Sequence, residues 1–295
     1  MDRLEALRLL IRVSETGSFS RVAAESGVSQ SAVSRAIATL ETELGARLLN
    51  RTTRRVALTE AGQRACDRAR LVIGEMEGLE AAVRGLGQEP VGLLRVASSV
   101  AFARAELAPA AGEFLATWPR VRLDLAARDD RVDLVAEGVD LAFRLGDQQD
   151  SRLTGRQLGS YPRMVIAASD FEERHGRVTS PRDLPDLPCL GFTSTAFGNR
   201  WPLSDGRQRL DVEVTPTLRT ANGEVIADLM RSGLGAALVP SFLVSSDLAS
   251  GRLVRLLPDW SAPPLPLWAL WQGRALSGKA RAFLDFIIPR LTLSS

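Results

Sequence analysis

The sequence predicts a two-part fold: a small, mostly helical N-terminal module with a two-stranded wing, joined by one long helix to a larger α/β region. Three observations predict it. Between residues 18 and 44, two short segments of helical apolar spacing are each preceded by a serine and separated by a glycine. From Ala65 to Leu86, apolar residues recur at alternating steps of four and three. Beyond Val91, strand-like apolar runs alternate with helical ones, the pattern of a largely parallel sheet.

At 295 residues the chain exceeds one typical domain, and 45% hydrophobic with 24% charged residues is ordinary for a soluble globular protein. Charged residues from Asp2 to Glu15 interrupt any apolar core of a signal peptide, and no run of about twenty apolar residues offers a membrane span. A cytoplasmic protein is therefore expected, without a membrane partner. Cys66 and Cys189 are the only cysteines, too few for a disulfide framework or a structural zinc site, and are read as inert thiols. No cofactor or metal is expected.

Taken in order, the first helix sets Leu4, Leu7 and Ile11 on one face with Leu10 beside them. Ser18 and Ser29 can cap the orphan N–H groups of the next two helices, and Gly27 supplies the tight turn between them. Val22, Ala23, Val33, Ile37 and Leu40 continue a small core, so residues 1–44 form three helices. The second and third make a helix-turn-helix, a unit that fits the major groove of DNA. Residues 48–58 then change to the β-branched content and turn chemistry of a short wing. A formal net charge of +2 says little, but between Gly45 and Arg64 stand five arginines (Arg47, Arg51, Arg54, Arg55, Arg64) and one acid, Glu60. That local field outweighs the total, because charge is screened beyond about 10 Å.

Thr59-Glu60 opens the long helix, with threonine as cap and glutamate near the positive end of the helix dipole. Ala65, Ala69, Val72, Met76, Leu79, Val83 and Leu86 form a heptad seam. At about 1.5 Å per residue it spans roughly 30 Å, enough for a two-helix dimerisation arm. The alternative is an amphipathic helix lying on its own domain; the narrow seam and the Gly85, Gly87 and Pro90 that follow favour the arm. Farther on, residues 93–97, 121–126 and 140–143 have the composition of buried strands, and 101–116, broken near Pro109, and 223–231 that of helices. More strands and helices fill the stretch from 163 to about 258, and the apolar run 267–271 precedes a last helix at about 279–288.

The ordered set Gly17-Ser18-Phe19-Ser20, Ala23-Ala24, Ser29-Gln30-Ser31-Ala32-Val33-Ser34, Ile37, Leu40-Glu41, Leu44-Gly45, Leu48-Leu49-Asn50-Arg51 and Leu58-Thr59-Glu60-Ala61-Gly62 resembles the N-terminal domain of LysR-type transcriptional regulators. Gly92-Leu93-Leu94-Arg95-Val96, Trp118-Pro119, Gly138-Val139-Asp140-Leu141-Ala142-Phe143-Arg144, Gly233-Leu234-Gly235-Ala236-Ala237-Leu238-Val239-Pro240 and Arg281-Ala282-Phe283-Leu284-Asp285-Phe286 resemble that family's effector domain. The resemblance covers essentially the whole chain. It implies a winged helix-turn-helix DNA-binding domain at 1–59, a linker and dimerisation helix at 60–88, and an effector-binding domain at 89–295. The last is implied to be α/β and periplasmic-binding-protein-like, with lobe 1 at 91–160 and 268–295, lobe 2 at 161–267, and crossings near 159–163 and 264–268. Function is implied with it: a sequence-specific transcriptional regulator whose grip on double-stranded DNA with pseudo-palindromic half-sites is modulated by a small-molecule effector between the lobes. A homodimer, and beyond it a homotetramer, is implied as well.

On that basis the recognition helix runs from Gln30 to about Glu43 and presents Gln30, Ser31, Ser34 and Arg35 to base edges. Gln can pair with adenine and Arg with guanine, each good bidentate contact supplying about 1 to 3 kcal/mol of discrimination. For Ser31 and Ser34 an ordinary solvent-facing serine is the competing interpretation. Arg51, Thr52, Arg54 and Arg55 would hold phosphates or probe the minor groove, against the alternative of a merely solvated basic face. Solute-binding lobes place ligands at strand C-termini and helix N-termini. That selects Ser98, Ser99, Val100 and Arg144 on one side, and Phe192, Thr193, Ser194 and Asn222 across the cleft. Ser98 and Ser99 serve equally well as helix caps, and Arg144 fits either an anionic effector or a structural ion pair between lobes. Trp201 is read as core.

Two other functions compete. An enzyme lacks material: the sole histidine, His175, sits in a charged stretch, and Gly233-Leu234-Gly235 lacks the third glycine of a dinucleotide loop. An effector-independent architectural DNA-binding protein would have no need of so large a C-terminal domain.

Overall fold

The computed structural model describes residues 2–51, 56–84, 89–130, 134, 137–147, 153–193, 197–273 and 275–293. The chain forms two compact units, one of Met1–Gln88 with Asp133–Gly138 and Gln272–Gly278, the other of Glu89–Val132, Val139–Trp271 and Lys279–Ser295.

In the first unit, α1 (Arg3–Thr16), α2 (Phe19–Ser26) and α3 (Gln30–Leu44) pack around Leu9, Leu10, Val13, Val22, Val33, Ile37 and Leu40. Of the face expected on α1, Leu10 and Ile11 are buried and Leu7 packs partly against the core, while Leu4 is half-buried; Ala6, Leu9 and Val13 widen the buried face, because α1 packs against α4 (Glu60–Arg84) as well as α2 and α3. Both serine caps form: Ser18 accepts from the Arg21 N–H at 3.3 Å and Ser29 from the Ala32 N–H at 3.2 Å. Gly27 takes a left-handed φ of 67°, which an L side chain adopts only at a cost. The wing is β1 (Leu49–Arg51) paired antiparallel with β2 (Val56–Leu58). Early in α4, Cys66 and Ala69 join the core, whereas Val72, Met76 and Leu79 farther along are 52%, 41% and 56% exposed.

The second unit starts with β3 (Gly92–Ser98) and a helix made of α5 (Val100–Phe102), a π turn (Ala103–Leu107) and α6 (Ala108–Thr117). The break expected near Pro109 is this π turn: proline has no N–H to give, and the widened turn absorbs the missing bond. There follow β4 (Val121–Ala127), β5 (Leu141–Leu145), β6 (Thr154–Ala168), α7 (Phe171–His175) and β7 (Cys189–Phe192). Next come β8 (Arg200–Ser204), β9 (Arg209–Glu213), β10 (Pro216–Thr220), α8 (Gly223–Arg231), β11 (Ala236–Pro240), α9 (Ser245–Ala249) and β12 (Leu253–Arg255). β13 (Ala262–Trp271) and α10 (Gly278–Ile287) close the chain.

The strand order β10-β7-β11-β6-β13-β5-β3-β4, with β12 also on β6, divides the sheet into two lobes. Each has a parallel centre: β5, β3 and β4 in one, β11, β7 and β10 in the other. The middle departs from the expected parallel sheet. There β6 and β13 run antiparallel, because the chain crosses out on one and returns on the other. Trp201 is buried in the second lobe with Leu203, Val212 and Leu238. No helix among the described residues is long and apolar enough to cross a membrane.

Candidate nucleic-acid interface and ligand cleft

Burial of Val33, Ala36, Ile37 and Leu40 fixes the rotation of α3, so residues 31, 35, 38 and 42, at steps of four and three, all face solvent. Gln30, Ser31 and Arg35 are exposed there; Ser34 is half-buried. The Ser31 hydroxyl lies 2.9 Å from that of Ser29, and Arg35 Nε donates to the Ser31 carbonyl at 3.4 Å. This face is small and polar at the positive end of the helix dipole, with a guanidinium one turn on. Arg51 ends β1 with its backbone opposite Val56. Thr52, Arg54 and Arg55 fall outside the described residues. Arg47, exposed at the wing base, joins the surface.

Ion pairs hold this scaffold. Arg12 bridges α1 to α2 through Glu25 at 2.6 Å and also meets Glu15 at 2.6 Å. The Arg12 bond holds the Glu25 carboxyl below its ordinary range, and the Glu25 bond raises Arg12 in turn. Arg70 of α4 reaches Asp67 at 3.3 Å and Glu15 of α1 at 3.8 Å.

In the second unit Ser98 and Phe192 end strands, Arg144 stands one residue before the end of another, and Ser99, Val100, Thr193 and Asn222 lie just past strand ends. Ser98 ends β3, buried, its hydroxyl without a hydrogen-bond partner among the described residues. Ser99 occupies the cap position of the helix but makes no cap bond, which corrects the cap interpretation. The charged carboxylate of Asp129 takes that place, accepting from the Val100 N–H at 3.1 Å. The other oxygen of Asp129 accepts from Asn222 Nδ2 at 2.8 Å, while Asn222 Oδ1 caps α8 through the Val225 N–H at 3.0 Å. One carboxylate thus joins Val100 in the first lobe to Asn222 in the second. Phe192 lies opposite Thr220 across parallel strands, and the Thr193 N–H donates to the Thr220 carbonyl at 2.8 Å, so this pair adjoins Asn222. Arg144, half-buried, sits on β5 opposite Trp268. Ser194 falls outside the described residues.

Sequence reasoning missed Asp129 here, and also Arg104 and Glu224, which form an ion pair between the lobes, beside a close approach in which a Cβ on Gly223 would lie 2.8 Å from that of Ala101. Elsewhere in this unit Arg163 is buried on β6, with its guanidinium 4.9 Å from the Phe197 ring centroid and donating to the Pro263 carbonyl at 3.2 Å; burial pushes its pKa down. Each connects residues far apart in sequence, which local patterns do not encode.

Residues 4–63 match the family described as bacterial regulatory helix-turn-helix protein, lysR family, and residues 87–292 match the LysR substrate binding domain. The chain is 36% identical over 289 residues to the HTH-type transcriptional regulator CrgA of Neisseria meningitidis, covering 97% of this chain and 96% of that one. To the regulator PtxR of Pseudomonas aeruginosa it is 33% identical over 291 residues, 97% and 93% of the two chains. The solved structure of CrgA superposes with a TM-score of 0.64 at 34% identity over 98% of both chains. Helix-turn-helix, wing, long helix and two-lobed sheet stand in the order those matches require, and the chain belongs to the LysR family, as a DNA-binding transcriptional regulator carrying the family's effector domain.

Proposed function

We propose that Gln30, Ser31, Ser34 and Arg35 read base edges in the major groove, while Arg51, Thr52, Arg54 and Arg55 grip phosphates or the neighbouring minor groove. The observation that carries this is the solvent-facing side of α3, polar at its capped N-terminus, with Arg47 exposed at the wing base. We divide the chain into a DNA-binding domain at 1–59, a linker helix at 60–88 and an effector domain at 89–295. A small-molecule effector binds between the lobes, against Ser98, Ser99, Val100 and Arg144 on one side and Phe192, Thr193, Ser194 and Asn222 on the other, and modulates operator binding. An anionic effector would have to displace Asp129 from the Val100 N–H. The exposed seam of Val72, Met76 and Leu79 supports a homodimer, and two dimers make a tetramer. A twofold dimer reads a pseudo-palindrome. The protein works in the cytoplasm and carries out no catalysis.

Binding titrations across a salt series test the DNA contacts. Arg51→Ala should weaken binding to every sequence and reduce the salt slope by about one unit, and Arg35→Ala should also relax base preference. Wild-type curves from both variants would contradict the docking.

A further inference from the structure

The base of the wing is held from two sides. Glu41, half-buried in the last turn of α3, accepts through Oε1 from the N–H groups of Leu48 at 2.7 Å and Leu49 at 3.1 Å. Its main-chain carbonyl accepts from the Ala46 N–H at 3.1 Å. From the other side, the Thr59 hydroxyl donates to the Arg47 carbonyl at 2.6 Å and the Thr59 N–H to the Leu48 carbonyl at 2.9 Å. That hydroxyl also accepts from the Gly62 N–H at 2.9 Å, capping α4. There is no spare room: a Cβ on Gly62 would lie 2.0 Å from the Leu48 carbonyl oxygen. A carboxylate in the last turn opposes the helix macrodipole, and two charge-assisted bonds to backbone N–H groups offset that.

We propose that Glu41 is a positioning residue for DNA recognition: with Thr59 it clamps residues 47–49 between the recognition helix and α4, setting the wing and Arg47 relative to the face at Gln30 and Arg35. The proposal rests on the DNA docking above. Glu41 acts through the backbone it holds. Its charge gives a readout that separates this role from simple electrostatics. Glu41→Gln removes a negative charge near the phosphates, which alone would tighten binding to any duplex. The Gln amide oxygen still accepts from both N–H groups but without charge assistance, and a clamp weakened in this way does the opposite for the specific site only.

The experiment uses the full chain and a duplex that the wild type enriches from a random library. Amide exchange and binding are measured on Glu41→Gln, with Thr59→Val and Thr59→Ser as companions. For Glu41→Gln we expect faster exchange at Leu48 and Leu49, on the order of tenfold weaker binding to the enriched duplex, and unchanged or tighter binding to a scrambled one. Thr59→Val should also lose specificity, and Thr59→Ser, which keeps the hydroxyl, should restore it. Unchanged exchange at both amides, or an unchanged ratio of specific to scrambled affinity, overturns the proposal. If the wild type enriches no duplex, the DNA docking itself fails and the recognition role with it, while the exchange data decide the clamp alone.

Discussion

At the scale of single residues, burial and local hydrogen bonds decide which groups are chemically live. Cys189 is fully buried, and desolvation pushes its thiol up to about 12; burial raises Cys66 as well. The thiolate is the nucleophile, so both should stay unmodified by iodoacetamide at pH 8 in the folded protein and react once denaturant is added. Stoichiometric labelling of the native chain would contradict this. Asp183 shows the opposite effect. It accepts from the Ser180 and Thr179 N–H groups at 2.9 Å each, and those bonds hold its carboxyl below the ordinary range. With the folded pKa depressed, the unfolded chain binds the proton more readily. The contribution to stability is then present above the unfolded carboxylate value, near about 4, and disappears as pH falls through the folded one. Asp183→Asn should lower the urea midpoint at pH 7 but not at about pH 2; an equal gap at both would contradict the linkage. Ser18, Ser29 and Thr59 were legible as caps because each bonds within three residues. Glu41 and Asp129 were not, since their partners come from other elements.

At the scale of elements, periodicity told where helices lie but not what covers them. The seam of α4 was visible as spacing, and the fold shows it uncovered at Val72, Met76 and Leu79. In the proposed dimer, Leu79→Glu would place a charge in the seam, at a desolvation cost of several kcal/mol, and should weaken dimerisation by at least about tenfold in sedimentation velocity. The helical signal should stay unchanged, because Leu79 is 56% exposed and supports no core. An unaltered dimer would show that α4 is not the arm. The alternation of strands with helices predicts the parallel centre of each lobe, but the antiparallel pairing of β6 with β13 joins segments far apart in the chain and leaves no local pattern to read. The full breadth of the buried face of α1, with Ala6, Leu9 and Val13 beside the expected Leu10 and Ile11, is out of reach for a related reason, since its contact with α4 is long-range.

At the scale of the whole molecule, two lobes share one sheet and are tied by Asp129 with Asn222, Arg104 with Glu224, and the aromatic group of Phe102, Tyr161 and Phe242. Gly223 lets α8 approach α5 closely. Gly223→Ala would push a methyl group to 2.8 Å from Ala101 and should destabilise the effector domain by about 1 to 3 kcal/mol in thermal unfolding. An unchanged melting curve would mean that the lobes part freely. The lone lysine, Lys279, carried no message in the sequence, yet it ties α10 to the first lobe through Asp140 at 3.2 Å and the Leu93 carbonyl at 2.7 Å. Family order and motif spacing carried the architecture; the ties between distant segments came only with the fold.

Selection of random duplexes by the purified full-length chain tests the DNA docking most directly. Enrichment of a pseudo-palindrome, with half-sites about one helical turn or a multiple apart and affinity falling steeply between about 50 and 200 mM salt, is the predicted result. A monomer that enriches no motif and holds every duplex equally would contradict it.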